Sequence, residues 1–232
     1  MSKSKKKALF LGAAITSVAT LVLAHGDVTP QAVDTTGLPE LEEEWLSENP
    51  YRADKVGEEV WIKAMQIGDS GYNQNCARCH GLEAVSGGLA PDLRFLEAEE
   101  YGDEWYVERF RVGYTQNGTT KMPGFEGVLS QEAAWAIRTY IEARPDEGAM
   151  DDFADELKMM RDQLAAYGKD SADADADAII NRLNEIAAEI ETGSGAPVAD
   201  SIAFRAARVI DGTPASYASA AEVLTIGLSA AN

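Results

Sequence analysis

The sequence predicts an all-α protein with an extended N-terminal arm and a C-terminal helical extension. Apolar residues recur at intervals of three and four in several segments, which is the spacing of one buried helix face. Glycine and proline separate these segments, and the middle of the chain shows no strand-like alternation. We divide the 232 residues into a signal segment at 1–24, an acidic arm at 25–50, a helical domain at 51–145 and a helical extension at 146–232.

The signal segment has a basic start, an apolar run and a small-residue end. Four lysines precede 17 mostly apolar residues, which close with Val22-Leu23-Ala24, the pattern of a cleavage site. The run is at the short limit for a membrane-spanning helix, and several polar residues dilute it. An uncleaved anchor is the alternative. We expect cleavage after Ala24, export of the chain, and no stable membrane span afterwards.

The charge of the chain is strongly negative and unevenly distributed. The net charge is −19, and it becomes −23 once the four signal lysines are removed. Residues 25–50 carry seven acids and no bases, residues 51–145 have a net charge of −5, and residues 146–232 have a net charge of −11. Such acidity excludes sequence-independent nucleic-acid binding, which requires cations against phosphates, and predicts repulsion from anionic lipid.

The arm and the first helix differ in their local patterns. Prolines at 30 and 39 disfavour helix in the arm, where only the stretch ELEEEWL offers a short helical turn. Helical spacing then predicts a helix from Lys55 to Tyr72. The positions on its apolar face are Val60, Ala64, Ile67 and Gly71.

Two further helices are predicted in the same domain. A glycine- and proline-containing loop, AVSGGLAPDL, comes first, and a helix then runs from about Asp103 to Val112. A turn follows at Asn117-Gly118. Ser130 is a good N-cap for the last helix, which ends before Pro145.

The extension contains two strong apolar stripes and two weaker ones. Phe153, Leu157, Met160, Leu164 and Tyr167 form the first stripe, which ends at Gly168, a predicted C′ glycine. Ile179, Leu183, Ile186 and Ile190 form the second stripe. Weaker helices are expected around 197–211 and 216–229. We interpret this segment as a helical appendage that is folded or folds on a partner.

The only two cysteines lie in the stretch NCARCHG, directly before a histidine. A disulfide across two residues would remove little chain entropy, and a thioredoxin-type pair needs a βαβ context. A closed zinc site needs four protein ligands, and adjacent side chains rarely share one tetrahedral metal. Covalent haem attachment is the interpretation we adopt, because Cys-x-x-Cys-His is its signature. Cys76 and Cys79 would then bind the vinyl groups and His80 the iron.

The sixth iron ligand must come from elsewhere in the chain. The candidates are His25, Met65, Met122, Met150, Met159 and Met160. Met65 is too close in sequence to reach the opposite haem face, and the methionines of the extension suit core packing. Met122 lies in NGTTKMPGF, an irregular segment between two helices that Pro123 stiffens. Ligation by His80 and Met122 leaves no open coordination site, which suits an electron carrier and not an enzyme.

Four stretches in this order resemble a class I (monohaem) cytochrome c. They are GYNQNCARCHG, APDL, NGTTKMPGF and LSQEAAWAIRTYI. More narrowly, HGDVTPQAVDTTGLP, YNQNCARCHGLEAVSGGLAPDLR and KMPGFEGVLSQEA resemble the periplasmic cytochrome c550-type acceptors of PQQ-dependent alcohol dehydrogenases. The resemblance covers residues 25–145 and implies a class I cytochrome c fold, whereas residues 146–232 match nothing in that group.

The resemblance implies how the haem c is held. Cys76 and Cys79 take the thioether positions, His80 and Met122 are axial ligands, and the carbonyl of Pro91 accepts the Nδ1 proton of His80. Such a bond fixes the ring and tunes its basicity.

The resemblance also suggests residues around the haem. Arg94, Trp105 and Arg109 are candidates to contact the propionates, although each could equally be a packing residue or a surface ion. The residues expected to meet where the first and last helices of the domain cross are Gly68, Tyr72, Ile137 and Tyr140.

The function implied is that of a soluble periplasmic carrier of single electrons. The expected donor is a PQQ-dependent alcohol dehydrogenase, and the acceptor is a cytochrome or a terminal oxidase. Two alternatives stay open: a haem enzyme or gas-binding or sensing protein with a displaceable sixth ligand, and an assembly subunit in which the extension is the functional part. The alternating carboxylates at 173–177 resemble a calcium loop, but Ala178 and Asn184 break that pattern and favour a linker.

Overall fold

A computed structural model describes residues 30–230 of the chain. Within this range the protein is all-α apart from one small hairpin. The helices are α1 (Ala53–Val56), α2 (Glu58–Asn75), α3 (Ala77–His80), α4 (Glu100–Val112), α5 (Gln131–Glu142), α6 (Ala154–Tyr167), α7 (Ala176–Glu189), α8 (Ile202–Val209) and α9 (Pro214–Ala230). The predicted signal segment, its cleavage site and His25 lie outside the described residues. Among residues 30–230, no helix is both long and apolar enough to cross a bilayer.

The described part of the arm, residues 30–50, crosses the domain without forming a helix or a strand. The backbone N–H of Leu41 donates to Glu132 at 3.0 Å, and that of Leu46 donates to Gln131 at 2.7 Å. The helical turn predicted within ELEEEWL is wrong, because residues 40–46 form only bends. Side chains at the start of α5 take up these amides, and a helical turn would have used them internally.

The helices α2 and α5 cross at very close range. A Cβ on Gly68 would lie 2.0 Å from the carbonyl oxygen of Ala136, so only glycine fits there. The rings of Tyr72 and Tyr140 lie 5.2 Å apart. The predicted crossing is therefore confirmed, as is Ser130, whose Oγ accepts a hydrogen bond from the N–H of Ala133.

A β-hairpin follows α4, and the sequence did not predict it. Strands β1 (Tyr114–Gln116) and β2 (Thr119–Met122) pair antiparallel around a turn at Asn117-Gly118. Both turn residues have positive φ, at 51° and 74°, as a two-residue hairpin turn requires. The turn prediction is confirmed, and the prediction of a strand-free segment is wrong. Because the strand side chains are almost all exposed, no alternating burial pattern marked the strands.

The extension is folded around its own apolar core. Helices α6 to α9 confirm the four predicted helical segments, and α6 packs against α9 while α8 packs against both α7 and α9. Leu157, Leu164, Leu183 and Ile186 are completely buried. Gly168 was expected as a left-handed C′ glycine, but its φ is −61°. A close contact explains the glycine at this position instead, because a Cβ there would lie 3.1 Å from the Cβ of Ala218.

The extension packs against α2 and the end of α5. The rings of Trp61 and Phe204 meet edge to face at 5.5 Å, and Met65 joins the same apolar cluster. The N–H of Asp200 donates to the carbonyl of Ala143 at 2.8 Å. One face of α2 therefore packs on α5 and another on the extension, which fixes the helix that leads into the cysteines.

Candidate functional site

The two cysteines lie on one short helical turn at the end of α2. Cys76 interrupts the helix, and its carbonyl accepts hydrogen bonds from the N–H groups of Cys79 and His80, each at 3.0 Å. A spacing of three residues on a helical turn brings two side chains to the same face. Both thiols are free, and Cys79 is exposed. The segment therefore presents two unpaired thiols and an imidazole together.

His80 is oriented by the loop that follows it. Its Nδ1 lies 2.9 Å from the carbonyl oxygen of Pro91, which can only accept, so Nδ1 carries the proton. This contact is the one that the resemblance implied for Pro91. It leaves Nε2 as the nitrogen with a free lone pair, which is the form of imidazole that ligates a metal.

Met122 reaches the same region from the last position of β2. Gly113 ends α4 with a φ of 73°, and a Cβ there would lie 2.3 Å from the carbonyl oxygen of Met122. A Cβ on Gly124 would likewise lie 2.5 Å from the carbonyl oxygen of Arg111. These two glycines let the strand lie directly on the end of α4. The position of Met122 is thus set by backbone contact on both sides.

A cavity of ≈ 620 Å³ brings these residues together. It lies within the usual size range of ligand and cofactor sites. Its lining includes Cys76, Cys79, His80 and Met122, together with Pro91 and Trp105. Seven of the eight residues predicted for the site, these six and Arg109, therefore line one cavity, although they come from helices α3 and α4, the residue between α2 and α3, one loop and strand β2.

Arg94 is the exception among the predicted residues. It does not line the cavity, and its guanidinium donates to Asp92 at 2.9 Å and 3.0 Å. Its guanidinium carbon also lies 5.2 Å from the centre of the Phe95 ring. The hydrogen bonds that the guanidinium donates to the Asp92 carboxylate raise the pKa of Arg94. The side chain is thus committed to its own short turn.

The other arginine predicted near the propionates, Arg109, does lie at the cavity. Arg109 lines the cavity, and its guanidinium lies between Trp105, at 5.5 Å, and Tyr114, at 5.4 Å. Its ion pair with Glu108 is long, at 3.5 Å. Lys121 also lines the cavity. These two cations are suited to bind carboxylates.

Aromatic residues fill much of the remaining wall, and the sequence analysis did not single them out. They are Tyr106, Phe110, Tyr114 and Phe125. The i, i+4 spacing of Tyr106 and Phe110 on α4, beside that of Trp105 and Arg109, was the signal that could have found them. The OH of Tyr106 donates to the carbonyl of Ala134, so the ring is fixed against α5.

The Cys76 thiol has little of the character expected of a redox-active or zinc-binding cysteine. Burial raises the pKa of Cys76 to about 12, and the neighbouring Cys79 raises it further. Reactive and metal-binding cysteines need the thiolate, which this environment disfavours. Within the part of the chain that the structure describes, no group of three or more His, Cys, Asp or Glu side chains could hold a metal ion. Among the described residues, neither the two cysteines with His80 nor the carboxylates at 173–177 form such a group.

The chemistry of the cavity fits haem c. Two free thiols at the attachment spacing, an imidazole with a free Nε2 and a thioether face one mainly apolar space. These are the groups that covalent haem attachment and axial ligation use. The aromatic walls would exclude water from the porphyrin, and the two cations could meet its propionates.

Comparisons with known proteins give matches over the same region. Residues 63–141 match the family model described as cytochrome c oxidase, cbb3-type, subunit III. The chain is 55% identical over 127 residues to cytochrome c550 of Pseudomonas aeruginosa, which is 55% of this chain and 86% of that protein. It is 33% identical over 72 residues to cytochrome c6 of Euglena gracilis, 30% of this chain and 80% of that protein.

Weaker similarity extends to much larger proteins. The quinohemoprotein alcohol dehydrogenase ADH IIB of Pseudomonas putida is 30% identical over 103 residues, which is 44% of this chain and 14% of that protein. The dehydrogenase subunit of the quinone alcohol dehydrogenase of Gluconobacter oxydans is 33% identical over 87 residues, 38% of this chain and 11% of that subunit. No solved structure matches the chain.

Proposed function

The chain belongs to the cytochrome c family, and on this premise we propose that it carries electrons in the periplasm from a PQQ-dependent alcohol dehydrogenase to a cytochrome or a terminal oxidase. It is an electron carrier of the cytochrome c550 kind with covalently bound haem c, and not an enzyme. The residues that hold the haem, the location and the two partners are the proposed parts.

The single observation that carries the proposal is the composition of the cavity wall. Cys76 and Cys79 are assigned to the two thioether bonds, and His80 and Met122 to the axial positions. All four line the cavity of ≈ 620 Å³. Haem c, when bound, supplies a one-electron couple between ferrous and ferric iron.

The protein's part in electron transfer is to hold and tune this group. The carbonyl of Pro91 keeps the proton on Nδ1 of His80, so Nε2 is the ligating nitrogen. Met122 is held by the close backbone contact with Gly113, and its thioether would raise the reduction potential relative to a second nitrogen ligand. With both His80 and Met122 bound to the iron, no coordination position would be open to a substrate.

The propionates are assigned to Arg109 and Lys121. Arg109 is braced by two aromatic rings, which lowers the entropy lost on binding a carboxylate. Trp105 contributes as one of these rings. Arg94 is assigned no contact with the haem, because Asp92 engages it and it lies off the cavity.

An alcohol dehydrogenase is proposed as donor because of relatedness to proteins of that name. Stretches of about a hundred residues of this chain are similar to parts of two alcohol dehydrogenases whose names contain quinohemoprotein or quinone. A haem domain that is fused to such an enzyme in one protein can serve it as a separate carrier in another. The acceptor is assigned only as a cytochrome or a terminal oxidase.

Docking to the partners is proposed to be electrostatic. The arm at 25–50 carries seven acids and no bases, and the extension has a net charge of −11, whereas the haem domain is closer to neutral. Acidic flanks would steer the carrier towards basic patches on its partners. Export follows from the predicted signal at 1–24, with cleavage after Ala24.

The donor is tested by mixing the ferric protein with a PQQ-dependent alcohol dehydrogenase and an alcohol. Growth of the ferrous haem absorption, at a rate that rises with carrier concentration, is the expected result. The control is the same dehydrogenase without PQQ, which must give no reduction. Reduction that is absent with the complete enzyme, or equal in the control, would remove the alcohol dehydrogenase as donor and leave the carrier assignment intact.

A further inference from the structure

The loop directly after His80 has a strained backbone. Glu83 and Ala84 have φ values of 54° and 62°, in the left-handed region that L residues rarely adopt. Gly81 has a φ of 84°, and a Cβ there would lie 1.8 Å from the carbonyl oxygen of Val85. Conformations of this kind persist only where the surroundings hold them.

Two side chains from other elements hold this loop. The OH of Tyr72 donates to the carbonyl of Gly81 at 2.8 Å. The carboxylate of Glu83 accepts a hydrogen bond from Nη1 of Arg144. Glu83 is half exposed, but Arg144 is only 1% exposed, so the pair is not an ordinary surface ion pair.

Arg144 is in turn held by the extension. Its Nη2 donates to Asp200, and its Nε donates to the carbonyl of Tyr140 at 3.0 Å. Asp200 also accepts hydrogen bonds from Arg205, at 2.9 Å and 2.6 Å. Arg205 completes the circle, because its Nη2 lies 3.9 Å from the carboxylate of Glu83. The network therefore joins two regions of the chain. Glu83, Tyr140 and Arg144 lie outside the extension, and Asp200 and Arg205 lie in it.

We propose that the extension positions the loop at residues 81–85, which directly follows His80. It does so through Asp200, Arg144 and Glu83. A buried guanidinium must satisfy its donors in a fixed geometry, so the carboxylate of Asp200 sets where Arg144 presents Nη1 to Glu83. Glu83 lies three residues after His80. Because only Gly81 and Leu82 separate them, a movement of Glu83 would also move His80. Asp200 and Glu83 are positioning residues: they act on His80 through the loop and do not touch the haem.

The competing explanation is that the network only fastens the extension to the domain. In that case, changing Glu83 would affect the loop no more than changing any other arginine-paired glutamate. Glu156 is a matched control, because it pairs with Arg182 at 2.6 Å and is 35% exposed, and both residues lie within the extension. The inference rests on the proposed haem site, since it concerns the orientation of His80.

The test compares Glu83→Gln, Asp200→Asn and Glu156→Gln in the full-length haem-loaded protein. Amide hydrogen exchange of residues 81–85 and the haem methyl shifts of the ferric protein are measured for each. We expect about tenfold faster exchange in 81–85 and altered methyl shifts in Glu83→Gln and Asp200→Asn, with neither change in Glu156→Gln. The methyl shifts report the orientation of the axial imidazole, which simple loss of stability does not alter.

Unchanged exchange and shifts in Glu83→Gln, or equal changes in Glu156→Gln, overturn the proposal. Asp200→Asn adds the long-range evidence if it folds, and the half-exposed Glu83→Gln decides the question if it does not. A wild-type protein without haem methyl signals would instead contradict the haem site itself, and the exchange of 81–85 would still be readable.

Discussion

The haem domain and the extension are both helical, but different kinds of side chain line their cavities. In the domain, aromatic and apolar side chains surround a cavity that also presents two thiols, an imidazole and a thioether. In the extension, a shallower groove of ≈ 480 Å³ beside α6 and α7 offers Asp173, Asp175 and Arg182, with no cysteine or histidine. Helical architecture is common to the two regions, whereas the side chains that line the two cavities differ in their chemistry.

Removal of the two thiols should have the largest effect, and it should affect the haem domain far more than the extension. In the double variant Cys76→Ala, Cys79→Ala, we expect no covalently bound haem, because each thioether bond needs one of these sulfurs. The pigment, if any, would be extractable by acid acetone. Without haem the cavity walls lose their contacts, so hydrogen exchange should rise in α3 and the hairpin far more than in α7. Haem still attached covalently would contradict the assignment of both cysteines.

Loss of Asp200 tests the joint between the two regions. Asp200→Asn leaves two arginines without their shared carboxylate, so we expect a loss of about 4 kcal/mol in the free energy of unfolding at pH 7. Burial acts to raise the pKa of Asp200, but Arg144 and Arg205 outweigh it and lower the pKa. A lowered folded-state pKa gives stability that is present above the unfolded value and is lost as pH falls through the folded value.

The pH dependence separates this effect from a packing defect. The difference in urea midpoint between wild type and Asp200→Asn should be constant above about pH 5 and should shrink below about pH 4. A difference that stays the same across this range would mean that the charge of Asp200 contributes nothing.

The core of the extension can be weakened without touching the haem. Leu183 is fully buried, and Leu183→Ala should lower the free energy of unfolding by about 3 kcal/mol through lost burial and a cavity. Met159 is 67% exposed on the same bundle, so Met159→Ala is the control and should change little. The ferrous and ferric spectra should be unchanged in both variants. A changed spectrum in Leu183→Ala would show that the two interiors are not separate.

Salt gives the smallest expected effect and tests the role of the charges. If the acidic arm and extension steer docking, the bimolecular reduction rate should fall as ionic strength rises, because salt screens exposed charges beyond about 10 Å at 0.1 M. The intramolecular properties of the haem should not change over the same range. A rate that is independent of salt excludes electrostatic steering.

The sequence predicted those features that depend on neighbouring residues. The spacing of Cys76, Cys79 and His80 lies within one helical turn, and Ser130 caps its own helix, so local sequence contained the information. Met122 was singled out as the candidate ligand because it lies in no helical apolar stripe, and the structure places it in the lining of the cavity. The hairpin that positions it was missed, because its strands are exposed and their pairing depends on Asn117-Gly118 and on contact with Gly113.

Features that depend on distant residues could not be predicted. Nothing near Trp61 indicates that Phe204, 143 positions later, packs on it. Arg94 and Arg109 look equivalent in the sequence. Only the fold shows that Arg94 pairs with Asp92, whereas Arg109 lines the cavity. Burial and long-range contacts determine both the packing of Phe204 on Trp61 and the different surroundings of the two arginines. A local sequence pattern shows neither.

The electron-carrier function proposed for this protein depends on His80 and Met122 binding one haem iron from opposite sides. The most direct measurement is the ferric absorption spectrum of wild type, Met122→Leu and Met159→Leu. We expect a weak far-red sulfur-to-iron band in wild type and in Met159→Leu, and its loss in Met122→Leu together with binding of added imidazole. A wild-type protein without that band, or one whose band survives Met122→Leu, would contradict this ligation.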